Sequence, residues 1–304
     1  MDNLKFRIAP SSCSDIMTNP IGKGKAQIIS ELRQKIEDAK AKHSDLKDGL
    51  KSKETLRQKI EDLTAELQEA HNLPDVTPLS EGCKTYLKNW VISKYFGRKK
   101  QFTSKQTDKG NLVEADAIAL VQKYFGTFLC KNEGDVVESD FIRGVCDVVA
   151  DEYIIEIKSC YMHTTMPYFE KTANKEHQIQ TQGYLSLYDK PKGFICYILL
   201  DMPAEILLDD VRRFSYRKPT DKDMFDFVLQ FVYTNNGFNT AVSICTEFGF
   251  NIAQFADKFK VIEDRHRVVV FEVERDDVYI AQIEQRVNDC QGYVNQLVQI
   301  LNSK

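Results

Sequence analysis

At 304 residues the chain can hold one large domain, or a domain with an appendage. Its 42% hydrophobic and 28% charged residues describe a globular protein, and the formal charge of −4 argues against a coat for nucleic acid while leaving room for a local basic patch. The eight cysteines are scattered, the closest two being Cys146 and Cys160, so no CxxC pair marks a zinc or redox site and reduced thiols are expected.

The opening MDNLKFRIAP lacks the apolar core of a signal peptide. The longest apolar run, Phe194 to Leu200, is far short of the roughly 20 residues that span a bilayer. A soluble cytoplasmic protein, in the host cytoplasm if viral, with no membrane partner is the expectation. Residues 1–24 read as a separate N-terminal segment. Residues 25–72 lack aromatics and proline and place Leu32, Ile36, Ala39, Leu46 and Leu50, then Leu56, Ile60, Leu63, Leu67 and Ala70, at the 3–4 spacing of amphipathic helices. The phase breaks near Asp48-Gly49, and the sextet beginning at Arg33 recurs at Arg57. The pattern predicts an antiparallel helical hairpin or coiled-coil appendage over 25–74, with one long interrupted helix as the alternative, serving as a homo-oligomer contact or a protein-partner arm, or packing on its own domain.

A mixed, aromatic-rich region follows over 75–304. Helical periodicity covers about 80–96 and 111–125, β-like runs fall at 127–131, 141–149 and 153–159, and a helix spans 174–188. A strand at 193–200, a helix near 220–232, a strand at 267–273 and a long final helix complete the series. The final helix lines up Ile280, Ile283, Val287, Cys290, Val294, Leu297 and Leu301. The central order α-β-β-β-α-β implies an α/β fold, a mixed sheet flanked by helices.

The chemistry concentrates in Phe141 to Ser159. Asp151-Glu152 separates two β-rich runs and reads as a hairpin turn. A reversal there pairs residue i with 303 − i, which sets Asp147 opposite Glu156, at a Cβ separation of about 5 Å. Lys158, two residues on, shares Glu156's side of the strand. Two acids and a lysine on an otherwise apolar hairpin are costly unless a ligand uses them. Hard oxygens so placed suit Mg²⁺ or Mn²⁺ with waters left for phosphate, and the lysine can orient water or stabilise charge on the phosphate. A surface ion pair is the plainer alternative. Glu114 shares a helical stripe with Ala117, Ile118, Val121 and Phe125 and can serve a metal, or complete a capping box begun by Asn111. Residues 177, 180, 181, 184 and 188 form a polar and aromatic stripe, on which Gln180 and Tyr184 can reach a phosphate or water, or form an exposed face.

Upstream, Lys84, Lys88, Lys94, Arg98, Lys99, Lys100, Lys105 and Lys109 face Asp108 alone and interleave with Trp90, Tyr95, Phe96 and Phe102. That mix suits phosphate tracking and base stacking, or a solvated helix face over core aromatics. Arg98, Lys99, Lys100 and Lys105, with Arg143, are the candidate DNA contacts.

The order Glu114, Asp147, Glu156-Ile157-Lys158 and Gln180-x-x-x-Tyr184 resembles the PD-(D/E)XK nuclease superfamily, in the branch of lambda exonuclease, YqaJ-type recombinases and RecB-type nuclease domains. The closing Val270 to Asp277 before a long helix resembles the end of phage-type exonucleases. The resemblance implies a restriction-endonuclease-like core and a Mg²⁺- or Mn²⁺-dependent deoxyribonuclease. The favoured form is an exonuclease on double-stranded DNA ends in viral recombination. A structure-specific or single-strand endonuclease, or a non-cleaving DNA-end-binding module, stand as alternatives. Asp147, Glu156 and the Ile157 carbonyl would ligate the metal, with Glu114 as a further ligand or water anchor. Lys158 would be the catalytic lysine, and Gln180 and Tyr184 would support the site or touch DNA. Cys146 stands where the family has proline, the cysteines for an iron–sulfur cluster are missing, and the hairpin departs from compact phage enzymes.

Overall fold

The computed structural model describes residues 4–18, 25–46, 51–71, 79–98 and 104–304. In chain order its helices and strands are α1 (Cys13–Ile16), α2 (Lys25–Ser44), α3 (Lys51–His71), α4 (Glu81–Tyr95), α5 (Lys105–Leu112), α6 (Glu114–Phe125), β1 (Val137–Glu138), β2 (Arg143–Gly144), β3 (Val148–Val149), β4 (Tyr153–Ser159), α7 (Lys175–Tyr188), β5 (Lys192–Ile198), α8 (Ala204–Ser215), α9 (Asp221–Val228), α10 (Asn235–Glu247), β6 (Val268–Glu274) and α11 (Asp277–Asn302). Two compact units emerge: Met1–Phe6 with Asp15–Arg98 and Gln285–Lys304, and Arg7–Ser14 with Lys99–Glu284.

In the first unit α2 and α3 bury Leu32, Ile36, Leu63 and Ala70 against one another, with Ile28, Ile29 and Leu67 at the margin. Ile28 and Leu32, early in α2, line one crevice with Glu66 and Ala70, late in α3. This is the antiparallel pairing that the two apolar stripes predict. The phase break at Asp48-Gly49 lies outside the described residues. The same unit also holds α4 and the C-terminal part of α11. There Cys83 and Cys290 meet with sulfurs 3.7 Å apart, and Phe6 meets Trp90 edge-on at 5.0 Å.

The second unit is built on the sheet β3-β4-β5-β6. β3 and β4 are antiparallel, β4 and β5 parallel, and β5 and β6 antiparallel. A parallel neighbour requires a crossover, and α7 supplies it. Alternation along β4 sends Ile155 and Ile157 to one face, where they pack with Ala117, Ile118 and Val121 of α6 and with Cys196 and Ile198 of β5. Ile154 turns to the opposite face with Tyr184 and Leu185 of α7. Helices on both faces explain why these strands read as nearly continuous apolar runs. At Gly193 a Cβ would come within 2.9 Å of Ile154 and Thr181, so the absent side chain lets α7 settle on the sheet. Between β5 and β6, α8, α9 and α10 close over their own apolar core, including Leu207, Val211, Met224, Phe225, Phe238 and Ala241.

Residues 127–131 form no strand. Leu129 N–H donates to the Gln122 side chain and Phe128 is exposed, so nothing there extends a ladder. The run 141–149 is two short strands interrupted at 145–147. The residues ahead of the hairpin also matter, since Ile8 N–H donates to Phe141 O and Arg143 N–H to Ile8 O. A Cβ at Gly144 would lie 2.7 Å from Pro10, so the 7–14 segment packs directly behind β2. No described helix is long and apolar enough to cross a membrane.

Candidate active site

The site begins where β3 stops. Val148 pairs with Ile155 and Val149 with Ile154, the register expected from a turn at Asp151-Glu152. Ala150 N–H donates to Tyr153 O. Stepping outward by two along an antiparallel ladder, the Ile157 N–H would next meet Cys146. The chain bends away at Cys146-Asp147 instead, and Asp147 Oδ2 accepts that N–H at 2.7 Å. A carboxylate thus replaces a strand carbonyl, which fixes Asp147 at the edge of β4 beside the next residue pair.

Glu156 points to the α7 face and is only 4% exposed. Its Oε1 accepts from Lys158 Nζ at 2.8 Å and from Gln180 Nε2 at 2.6 Å, while Gln180 Oε1 accepts from Lys158 Nζ at 2.8 Å. The three side chains form a closed triangle of hydrogen bonds between β4 and α7. Gln180 is buried, so its amide is locked and its stripe is no exposed face. Glu156 Oε2 is buried with no partner. Burial, and after it the charge of Asp147, pushes the Glu156 carboxyl up to about 7 despite Lys158 and Gln180. Burial likewise raises Asp147, against the Ile157 N–H and Lys158.

Two carboxylates raised by burial, Glu156 further by the charge of Asp147 and with a bare buried oxygen, form a set of hard acceptors short of positive charge. That donor set fits a small divalent cation, with water and phosphate oxygens completing its shell. Among the described residues no three histidine, cysteine or acidic side chains converge. Glu114 explains why. It opens α6 and pairs with Lys131 at 2.7 Å, close enough to Asp147 for its charge to register there. The capping-box reading of Glu114 is corrected. Ser104 caps α5 by accepting from Thr107 N–H, Asn111 lies inside α5, and the helices break at Val113.

Tyr184 packs against Cys146, Ile154 and Leu185, and burial, then the field of Glu156, raises its hydroxyl pKa. It walls the site from the side of Cys146. The basic residues divide. Arg98 and Arg143 are exposed, the latter 3.6 Å from Glu138. Lys99 and Lys100 lie outside the described residues. Lys105 is held by Asp209 and Asp210, so its charge is already matched within the protein. Lys109 is buried and donates to Cys160 O at 2.8 Å and Tyr161 O at 3.0 Å, tying down the chain just after Lys158. Composition alone missed these acceptors, and it also missed Lys131 as the partner of Glu114.

No family model and no curated protein sequence matches the chain. Solved structures do. A phage-related exonuclease from Haemophilus somnus 129PT is similar over 98% of this chain and 97% of its own, at 19% identity and a TM-score of 0.58. An alkaline exonuclease from Laribacter hongkongensis is similar over 98% and 92%, at 11% identity and a TM-score of 0.52. The chain has the fold of these exonucleases along nearly its whole length.

Proposed function

We propose that this protein is a divalent-metal-dependent deoxyribonuclease of the PD-(D/E)XK superfamily, in its lambda-exonuclease branch, degrading double-stranded DNA from its ends. The observation that carries the reading is the pairing of half-buried Asp147 with buried Glu156 beside Lys158, Glu156 Oε2 being left bare. The likeness to two exonucleases supports the choice of exonuclease over endonuclease. Recombination or processing of viral DNA in the host cytoplasm is the setting that suits it.

Asp147, Glu156 and the Ile157 carbonyl would hold Mg²⁺ or Mn²⁺, with Glu114 at the rim. When bound, the ion supplies charge for the phosphate and acidifies water. The protein's own residues do the rest. The Ile157 N–H keeps Asp147 from rotating away. Gln180 sets the direction of both Glu156 and Lys158. Lys158 carries the positive charge that faces the attacked phosphate, where it can stabilise developing charge or orient water. Arg98, Lys99, Lys100 and Arg143 supply the backbone contacts. The α2–α3 hairpin serves an oligomer contact or a protein partner.

Linear duplex, nicked circle and closed circle incubated with Mg²⁺ test this reading. Loss of the linear duplex alone, abolished by EDTA, is expected, with Ca²⁺ supporting binding but not cleavage. Undiminished cleavage in EDTA would end the metal assignment. Attack on the closed circle would turn the reading toward an endonuclease.

A further inference from the structure

His177, on the polar stripe of α7, is not used by that scheme. His177 Nδ1 lies 2.7 Å from the Tyr197 hydroxyl. Tyr197 is the register partner of Lys158 on the neighbouring strand, so the two side chains leave the sheet on the same face. His177 sits almost one turn before Gln180, on the helix that covers that face. It is half-buried, and Lys158 is near enough for its charge to oppose protonation of the ring.

The hydrogen bonds around Tyr197 point to one tautomer. The Tyr197 hydroxyl accepts the Asn174 backbone N–H at 3.1 Å. A phenol has one proton to donate. His177 Nδ1, 2.7 Å away, is placed to accept it. With the phenol donating, that nitrogen presents its lone pair and the ring proton sits on Nε2, at the far edge of the imidazole. Burial first, and Lys158 second, hold the ring pKa down at about 4, so the imidazole is neutral at working pH. A metal-ligating histidine donates from its second nitrogen and offers the first as a lone pair. In this tautomer the second nitrogen accepts. His177 is thus barred both from ligating a cation and from acting as a general base through Nε2.

We propose that His177 is a neutral hydrogen-bond donor to the substrate phosphate, its Nε2–H acting beside Lys158, with Tyr197 as the positioning residue that sets its tautomer. The assignment rests on the nuclease reading. It adds a donor that costs no charge where two carboxylates and a cation must coexist. A neutral N–H aimed at a phosphate oxygen strengthens as charge develops, as donors in oxyanion holes do.

The test compares wild type, Lys158→Ala, His177→Gln, His177→Leu and Tyr197→Phe in single-turnover digestion of an end-labelled blunt duplex with Mg²⁺. His177→Leu should lose roughly 10²-fold in rate, the usual cost of one such donor. His177→Gln, whose amide N–H reaches the place of Nε2–H, should recover most of that loss. Histidine ¹⁵N NMR of the metal-free protein at pH 7 gives a readout independent of activity. The resonance missing from His177→Gln should report a neutral ring protonated at Nε2, and Tyr197→Phe should convert it to mixed tautomers. A ring protonated at Nδ1, or at both nitrogens, overturns the proposal. So does wild-type cleavage by His177→Leu beside an inactive Lys158→Ala, which leaves the nuclease reading standing. An inactive wild type, or an active Lys158→Ala, sinks the nuclease reading itself and this role with it.

Discussion

Replacing Glu156 by Gln should abolish cleavage and, unusually for a buried polar position, stabilise the metal-free protein at alkaline pH. Folding raises the Glu156 pKa from an ordinary 4.5 to about 7, mainly through burial. The native state therefore binds the proton more tightly than the unfolded chain between those values, and unfolding free energy falls as pH rises through that window. With about 1.4 kcal/mol per pKa unit, ionised Glu156 costs about 3 kcal/mol once the pH exceeds its native pKa, and less than about 1 kcal/mol near pH 5. Glutamine carries no such cost. It keeps an Oε1 to accept from Lys158 and Gln180, although a neutral acceptor gives back about 1 kcal/mol of Lys158's charge-assisted bond. The net expectation is a gain of about 2 kcal/mol at pH 8.5 that shrinks away toward pH 5.

Thermal melts of wild type and Glu156→Gln in EDTA at the two pH values measure this, and the gain corresponds to several degrees at high pH. Mg²⁺ should then raise the melting temperature of wild type but not of the variant, since binding to the native state alone stabilises it. A variant less stable than wild type by the same margin at both pH values would refute the reasoning. Lys158 and Gln180 would then fully satisfy an ionised Glu156, and no deficit of positive charge would exist for a cation to fill.

Lys158→Ala should lose roughly 10³-fold in cleavage while keeping its fold, because Glu156 can take up a proton once its cationic partner is gone; circular dichroism and a duplex digestion assay check both halves. Reversing charge at Arg98, Lys99 and Lys100 should weaken duplex binding and lower the slope of log affinity against log salt by about 0.9 for each lost phosphate contact. The same reversal at Lys105 should instead damage stability, since Asp210 would lose its cation and both aspartates would face a like charge. Deleting the α2–α3 hairpin internally, with a short flexible bridge, should leave a soluble enzyme that still digests duplex, because the two helices bury their stripes on each other. A chain begun at Leu73 should misfold, since it also loses Phe6, Ile8 and Pro10, all buried.

How far the sequence was legible follows from where periodicity decides. The hairpin register needs only a turn at Asp151-Glu152 and apolar alternation, and β4 obeys both. The α2 and α3 stripes are equally plain, although composition could not show that they share a compact unit with α4 and the end of α11. α8 and α10 were missed between two expected strands. Asn236, Gly237 and Thr240 weaken the helical signal of α10, which its capping residue Thr234 and its buried face supply instead.

The errors at the site have one physical root: alternation assigns a side chain to a face but says nothing about which acceptor it finds. The run 141–149 reads as one strand because its residue types favour strand, yet at Asp147 a carboxylate outcompetes the ladder carbonyl for the Ile157 N–H. That substitution breaks the strand and builds the site in one step, so the departure from regular β structure falls where the chemistry is proposed. The same blindness makes Arg98, Lys105 and Lys109 look alike. One is exposed, one is held by two aspartates, and one is buried against two carbonyls. A lysine's charge is available to DNA only where the fold has not already given it a partner. Those partners come from Asp209, Asp210, Cys160 and Tyr161, far along the chain from the lysines they hold.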